Sequence, residues 1–419
     1  MQADHTLAGP RLGTSVLTVP RPSRRAGFWA VAFAFLSVTA LSTAPSALYG
    51  VYEQRQHFSP ITITLVYAVY AAGVTASLLL AGHVSDWYGR RVVLIPAIAI
   101  AAVAAVVFIA WQSLPGLLVA RVLTGVALGA TVATATAYIA DLDAGGDGAV
   151  TRRAEVVGAI ASVGGLAVGP LASGVLARYA PDGLTLPYVV LLAALVIAVL
   201  AVALSPDGRP AADPLPRYRP QRLKVPADVR AQFLAALSGV GLAFATWGLF
   251  AGLAGRFLAQ TLHHPSPALT GAAIFLTFGS GAVVQVTTSR WPARRLLVAG
   301  IPTIIVGLTV LVASAWTTPP SLALFLIGGV VTSIGAAAIY RASLGIVIAT
   351  AGPDDRAGAL ATFFVVGYAA LSLPVLGLGI GLLYLSPKVT LLVFGVVVGL
   401  GILAAAPTLL RGRPGTPGS

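Results

Sequence analysis

Cysteine is absent from this chain of 419 residues, and charged residues make up only 9% of it. Without cysteine the protein has no disulfide, no thiol nucleophile and no cysteine-ligated zinc or iron–sulfur cluster. A soluble globular protein carries about 25% charged residues to wet its surface, so this composition excludes a mainly water-exposed surface. The chain has instead 57% hydrophobic residues and a mean hydropathy of +0.91, which predicts that lipid surrounds most of it.

The net charge of +13 does not indicate a nucleic-acid-binding protein. Such a protein gathers its basic residues on one soluble module, whereas here they lie between long apolar runs. Residues 1–27 are basic and lack an apolar core, so we predict a disordered cytoplasmic tail. The apolar run that begins at Phe28 is followed by more such runs, which indicates a retained membrane helix rather than a cleaved signal peptide.

Apolar runs of about 20 residues, the length with which an α-helix crosses hydrocarbon, recur along nearly the whole chain. Charged and Pro/Gly-rich breaks separate twelve of them. The sequence therefore predicts an all-α integral membrane protein with helices at residues 28–51, 60–82, 92–111, 114–140, 154–178, 185–204, 231–255, 267–289, 296–315, 320–350, 357–384 and 388–410.

The longest break is rich in proline and arginine, a composition that prevents a helix and favours an extended linker. A constant shift of 204 residues pairs Trp87 with Trp291 and Pro170 with Pro374 across this break. Such rare residues in a shared register indicate parallel repeats about an axis along the membrane normal. We predict an N-terminal six-helix bundle, a cytoplasmic linker, a C-terminal six-helix bundle and a cytoplasmic tail, at residues 28–204, 205–230, 231–410 and 411–419.

The basic residues lie mostly on one side of the predicted membrane. Of the 26 Lys and Arg residues, twenty fall in segments on the same side of the membrane as the N-terminus, four fall on the opposite side, and two lie within helices. Because basic loops resist translocation, both termini are predicted to be cytoplasmic, and we expect the protein in the plasma membrane.

The loop after the second predicted helix reads Gly82-His-Val-Ser-Asp86-Trp-Tyr-Gly89-Arg90-Arg91. Its glycines allow a tight connection, and Asp86 is an anion that can meet Arg90 or a helix N-terminus. This segment resembles the loop motif of the major facilitator superfamily, Gly-x-x-x-Asp-x-x-Gly-Arg-Arg/Lys. The resemblance implies two six-helix bundles that rock around a central cavity, and a cytoplasmic gate in which Asp141 pairs with Arg90 or Arg91.

The fourth predicted helix contains Arg121-x-x-x-Gly125-x-x-x-Gly129, which is similar to the second motif of that family. A guanidinium is costly in hydrocarbon, so Arg121 is expected to face a cavity, a partner or water. By resemblance it takes part in proton coupling or in sensing substrate charge. The alternative is that Arg121 extends to the nearby external interface.

The fifth predicted helix carries small residues at helical spacing. Gly158, Gly165 and Gly169 are predicted to share one face, where a neighbouring helix approaches closely, and Pro170 to kink the helix. The stretch from Gly165 to Gly174 resembles the motif of the superfamily's drug/proton antiporters, Gly-x-x-x-Gly-Pro-x-x-Gly-Gly, although Val156 and Ser173 depart from the pattern. Generic helix packing is the alternative.

No acidic residue lies in mid-membrane of the predicted helices. Arginine does not release a proton, so a carboxylate must do so if transport is proton-driven. Glu53 is the predicted partner of Arg121 because both lie near the external side. A solvated charge beside Arg55 is the alternative for Glu53.

Trp247, Tyr340 and Arg341 lie within the seventh and tenth predicted helices, which line the central cavity in the family. They are predicted substrate contacts, with core packing the alternative for Trp247 and a reach to the cytoplasmic interface the alternative for Arg341. His263 and His264 adjoin Pro265 in a loop, so we predict no metal site.

The resemblance implies a secondary active transporter that exports small amphipathic molecules in exchange for protons, without a cofactor and as a monomer. The alternative in the same fold is an uptake carrier or facilitator for a metabolite such as a sugar or an organic anion. A membrane enzyme would need convergent catalytic groups or a soluble catalytic domain, and the sequence presents neither. A membrane sensor would need an appended signalling domain, for which the tails are too short.

Overall fold

The computed structural model describes residues 23–144, 151–207, 217–225, 229–352 and 355–411. Within these ranges every regular element is a helix, and twelve are long and apolar enough to cross a membrane. They are α1 (Arg24–Ala47), α2 (Pro60–Ala81), α3 (Arg90–Ala110), α4 (Leu114–Asp143), α5 (Arg152–Tyr179), α6 (Leu186–Leu204), α7 (Arg230–Gln260), α8 (Pro267–Thr287), α9 (Ala293–Ser314), α10 (Leu322–Thr350), α11 (Arg356–Tyr384) and α12 (Pro387–Arg411).

Two of these helices change their winding. The α-helical part of α1 ends at Thr43 and continues as a 3₁₀ turn over Ala44–Ala47. Helix α5 contains one turn of π-helix at Ile160–Gly164. Short additional helices follow α1 and α2, at Tyr49–Gln56 and Ser85–Tyr88.

The predicted helix positions are confirmed, with differences at the ends. Helix α1 begins at Arg24, where Ser23 caps it by accepting the Ala26 N–H at 3.3 Å, so the predicted tail of 1–27 ends earlier. Helix α4 continues beyond the predicted end at residue 140, to Asp143. Helix α12 ends at Arg411, the first residue of the predicted C-terminal tail. The rest of both predicted tails and parts of the predicted linker lie outside the described residues.

Each half of the chain packs into a bundle of six helices. In the first half α4 contacts α1, α2 and α3, and in the second half α10 contacts α7, α8 and α9. The halves meet along two interfaces, α5 with α8 and α2 with α11. Under the 204-residue repeat α5 corresponds to α11 and α2 to α8, so the two interfaces are related as parallel repeats require.

Residues 217–225 run along one end of the molecule, which we call the linker face; the opposite end, with Glu53, is the far face. The Gln221 N–H donates to the Leu79 carbonyl at 2.8 Å, and the Lys224 N–H donates to Thr362 Oγ1 at 3.1 Å. The first contact lies on α2 and the second on α11. This segment therefore connects the two halves at the linker face.

Candidate functional site

A cavity of about 580 Å³ lies between the two halves. It extends from the buried Arg121 to two residues that are exposed at the linker face, Glu155 near the start of α5 and Trp291 between α8 and α9. Its walls come from α1, α2, α4 and α5 of the first half and from α7 to α11 of the second half. The cavity thus reaches the linker face.

At the far face the two halves close on each other. Gly174 of α5 packs on the backbone of Pro267, and Gly271 of α8 packs on the backbone of Pro170, so neither glycine has room for a Cβ atom. On the other interface Gly379 of α11 packs equally closely on Thr64 of α2. Between α5 and α8 the small residues allow backbone to meet backbone, and between α11 and α2 Gly379 leaves room for the Thr64 side chain. The structure is therefore open towards the linker face and closed at the far face.

Glu53 and Arg256 join the halves beside this closure. Glu53 Oε1 accepts from Arg256 Nη1, and the side chains are 23% and 16% exposed. The predicted partnership of Glu53 with Arg121 is not formed, because the short helix Tyr49–Gln56 directs Glu53 towards the end of α7. The alternative of a solvated charge beside Arg55 does not hold either.

Arg121 is completely buried in the first half, at the deep end of the cavity. Its Nη1 donates to the Ser42 carbonyl at 2.5 Å, and its Nε lies 3.4 Å from the Val66 carbonyl. The Ser42 carbonyl belongs to the last α-helical turn of α1, which leaves it without a regular helical partner. The guanidinium also lies over the Tyr70 ring, 4.4 Å from its centroid. Arg121 thus faces the cavity rather than the external interface.

The opposite wall of the cavity is aromatic. The Phe244 ring centroid lies 5.4 Å from that of Trp247, 5.8 Å from Tyr340 and 5.6 Å from Tyr368, while Trp247 stacks on Phe278 at 6.1 Å. The Trp247 indole N–H donates to Ser333 Oγ at 2.9 Å, which fixes the ring. The structure places Trp247 and Tyr340 in the cavity wall, in contact with each other at 5.8 Å.

Arg341 lines the same cavity closer to the linker face. Its Nη1 and Nη2 donate to the carbonyls of Gln285 and Ser289, at 3.1 and 2.8 Å. The Gln285 carbonyl lies in the last turn of α8 and the Ser289 carbonyl just beyond it, near the helix end that favours a positive charge. Arg341 is therefore held in place by backbone acceptors and is half-buried beside the cavity.

At the linker face Arg90 holds two carboxylates within the first half. Its Nη1 lies 2.6 Å from Asp86 Oδ1, and its Nε lies 3.0 Å from Asp141 Oδ2. Gly89 adopts a φ of 97°, a conformation that L side chains rarely take, and so positions Arg90 at the start of α3. Arg91 instead pairs with Asp207 at 3.2 Å. We call Asp86, Arg90 and Asp141 the gate network.

His83 lies beside this network, next to Gly82 at the end of α2. Its ring contacts Trp87, with centroids 4.6 Å apart, and stacks on Tyr218 of the linker at 6.1 Å. Burial against these rings lowers the pKa of His83 below its ordinary value of 6.5. A neutral imidazole at this position packs against the linker without adding to its positive charge.

Most of the glycines named on α4 and α5 pack closely on a neighbouring helix, as their spacing predicts. Gly125 and Gly129 both pack on α2, while Gly165 and Gly169 pack on α1. Gly158 does not share their face: it has open space around it and lines the cavity. The prediction of a common face was wrong for Gly158 because the π-turn at Ile160–Gly164 adds a residue and rotates the helix between them.

Two threonines of α1 complete the hydrogen bonding of α5. Pro170 has no N–H for the Leu166 carbonyl, which accepts instead from Thr43 Oγ1 at 3.0 Å. Thr39 Oγ1 likewise lies 2.9 Å from the Ala161 carbonyl in the π-turn. Irregular winding within a membrane helix requires such partners.

Sequence reasoning missed several residues of this site. Arg256 is one of the four basic residues predicted on the external side, and nothing local to it points to Glu53. Tyr67 and Tyr70 were overlooked, although their three-residue spacing on α2 marks one helical face. Glu155 lies near the start of α5, and no sequence signal places it at a cavity mouth.

The chain matches the family model described as Major Facilitator Superfamily over residues 27–322. The crystal structure of the human organic anion transporter MFSD10 (TETRAN) is similar at a TM-score of 0.64 and 18% identity, covering 92% of this chain and 100% of that one. A structure of the nucleoside transporter NupG has a TM-score of 0.66 at 14% identity, covering 91% and 99% of the two chains. No curated protein sequence matches this chain. This chain therefore belongs to the major facilitator superfamily and is a membrane transporter rather than an enzyme.

Proposed function

We propose that this transporter exports small amphipathic molecules across the plasma membrane in exchange for protons. The observation that carries the proposal is the cavity between the halves: it reaches the linker face, and it is closed at the far face beside an acidic residue that bridges the halves. Its size suits a small molecule, since ligand pockets measure about 300–1,000 Å³.

The direction of export rests on the sidedness of the chain. Basic residues concentrate at the linker face, which supports a cytoplasmic position for that face and for both termini. A cavity that reaches the cytoplasm is in position to receive a compound from the cell interior. The cavity lies within a single chain, which supports the proposal that the protein functions as a monomer.

Glu53 is the proposed proton-coupling group, with Arg256 as its partner. While the ion pair is formed, it links the two halves and favours the closed far face. Protonation of Glu53 removes its charge and with it the attraction to Arg256. A proton taken from the external side would thus accompany opening of the far face. Exchange then requires that the proton be released to the cytoplasmic side when the far face closes.

The gate network is the proposed counterpart at the cytoplasmic face. Asp86 is 52% exposed and lies beside the linker, where it is free to exchange partners as the halves approach. Arg90 is 7% exposed and stays within the first half. The drug/proton antiporter type is supported by the stretch around Gly169 and Pro170, which packs on α1 next to the cavity.

A second candidate is an uptake carrier or facilitator for a metabolite such as an organic anion or a sugar. It is favoured by Arg341, which places a positive charge in the cavity wall. Alternating access is reversible, so the same geometry serves either direction of transport.

Transport into proteoliposomes with an imposed pH gradient distinguishes these functions. In vesicles with an acidic lumen, transporters inserted with their cytoplasmic face outward should accumulate the compound in the lumen as protons leave the lumen. A gradient of two pH units supports up to about 100-fold accumulation for a one-to-one exchange. Protein-free vesicles and nigericin-treated vesicles control for passive partition. Accumulation that requires an alkaline lumen would indicate proton-linked uptake, and rates indifferent to the gradient would indicate a facilitator or another coupling ion.

A further inference from the structure

The deep end of the cavity contains a guanidinium N–H without an acceptor. Arg121 is completely buried, and its Nη2 has no hydrogen-bond partner among the described residues. No ion pair of the described chain includes Arg121 either; its other nitrogens contact only backbone carbonyls. A buried charge with an unpaired donor is unfavourable unless something supplies the missing partner.

The charges around the cavity determine which partner is favoured. Arg121 and Arg341 contribute two positive charges, and among the described residues that line the cavity Glu155 is the one carboxylate. Glu155 is exposed at the linker-face mouth, where water screens it. The deep part of the cavity therefore carries positive charge in a region of low dielectric, which attracts anions and repels cations.

The aromatic wall determines which kind of ligand body fits beside the charged group. Phe244, Trp247 and Tyr340 contact one another across this wall, and the indole N–H is already bonded to Ser333. These rings thus offer apolar faces and edges, with which a planar conjugated body packs well.

We infer that the transported compound is an organic anion with an aromatic body, whose carboxylate or similar acidic group accepts from Arg121 Nη2. This inference rests on the proposed function and makes it more specific: cationic compounds are excluded, because Arg121 and Arg341 repel them. The ionised ligand supplies both the missing acceptor and the opposing charge, and its ring lies against the aromatic wall.

Matched ligands test the charge requirement on the purified full-length protein. The probes are benzoate, cinnamate and 2-naphthoate, their neutral amides, and the cations benzylammonium and 2-naphthylmethylammonium. Binding is measured from the rise in the thermal unfolding midpoint with probe concentration. At least one carboxylate should bind about tenfold or more tightly than its amide, as expected for a hydrogen bond to a charged group, and the cations should not bind.

Variants locate the binding. Arg121→Gln should remove the preference for carboxylate over amide, whereas Arg121→Lys should keep part of it. Arg178→Gln, at an exposed arginine of α5, is the matched control and should change nothing. Should Arg121→Gln fail to fold, Arg341→Gln in the same assay should weaken carboxylate binding and leave amide binding unchanged.

Three results would overturn the inference: no binding of any of the three carboxylates, equal binding of carboxylate and amide, or tighter binding of a cation. Its failure is distinguishable from failure of the proposed function. Gradient-driven transport of neutral or cationic compounds would contradict the anion inference alone. Carboxylate binding that depends on Arg121, without transport of any probe under any gradient, would contradict the proposed export alone.

Discussion

Glu53 and Arg256 lie 203 residues apart in the chain and form an ion pair between the two halves at the far face. Both side chains are largely shielded, and Arg256 Nε has no partner among the described residues. Removing one partner of a shielded pair leaves the other charge uncompensated, so the pair favours closure more strongly than an exposed salt bridge would.

The first prediction concerns coupling at this pair. Glu53→Gln should abolish accumulation driven by a pH gradient, because no proton is then exchanged, while exchange of labelled for unlabelled compound continues. Transport and counterflow in proteoliposomes measure the two activities. Asp182→Asn, an exposed change on the far face, serves as the control. Undiminished accumulation by Glu53→Gln would rule out this residue as the coupling group.

The second prediction concerns the gate network. Asp86→Asn should shift the population towards the state open to the linker face without unfolding the protein, because Asp86 is half-exposed while Asp141 still pairs with Arg90. Couplings of this kind are typically about 1–3 kcal/mol. A part of that free energy changes the ratio of the two states a fewfold.

Two single cysteines in the otherwise cysteine-free chain report this shift. Gly158→Cys lies in the cavity and Gly50→Cys lies beside Glu53, and both glycines have open space for a side chain. In the Asp86→Asn background, thiol labelling should rise at position 158 and fall at position 50. Asp207→Asn, which breaks the separate pair with Arg91, is the comparison. Unchanged labelling at both positions together with unchanged transport would contradict the gate.

The third prediction concerns the contact of α5 with α1. Gly169→Ala should lower the free energy of unfolding by about 1–3 kcal/mol, because its Cβ would collide with the Ala40 carbonyl. Gly158→Ala on the same helix should leave stability unchanged or raise it by up to about 1 kcal/mol, since its surroundings are open and alanine favours helix. Thermal unfolding in detergent compares the two variants. Equal stabilities would show that α1 and α5 do not pack this closely.

The fourth prediction concerns topology. A cysteine at Ser23 should resist an impermeant thiol reagent applied to intact cells, whereas a cysteine at Tyr179 should react. Ser23 lies at the linker-face start of α1, and Tyr179 is 78% exposed at the far-face end of α5. Permeabilised cells should label both positions. The reverse pattern in intact cells would invert the orientation and with it the direction of export.

The sequence by itself determined the twelve helices, the break between the halves and the composition of the gate network. Hydropathy over about 20 residues is a local property, and lipid leaves a helix as the main way to satisfy the backbone of a spanning segment. The loop motif likewise brought Asp86 and Arg90 within one short segment, and the structure places them 2.6 Å apart.

Only the tertiary structure decided which distant residues meet. Glu53 pairs with Arg256 rather than Arg121, because the course of the chain after α1 directs it to α7. A single π-turn removed Gly158 from the face that its spacing predicts and placed it in the cavity. Arg121 faces the cavity with an unpaired nitrogen because α1 and α2 supply only backbone carbonyls there. Partner choice and helix rotation depend on packing between elements, which local composition does not encode.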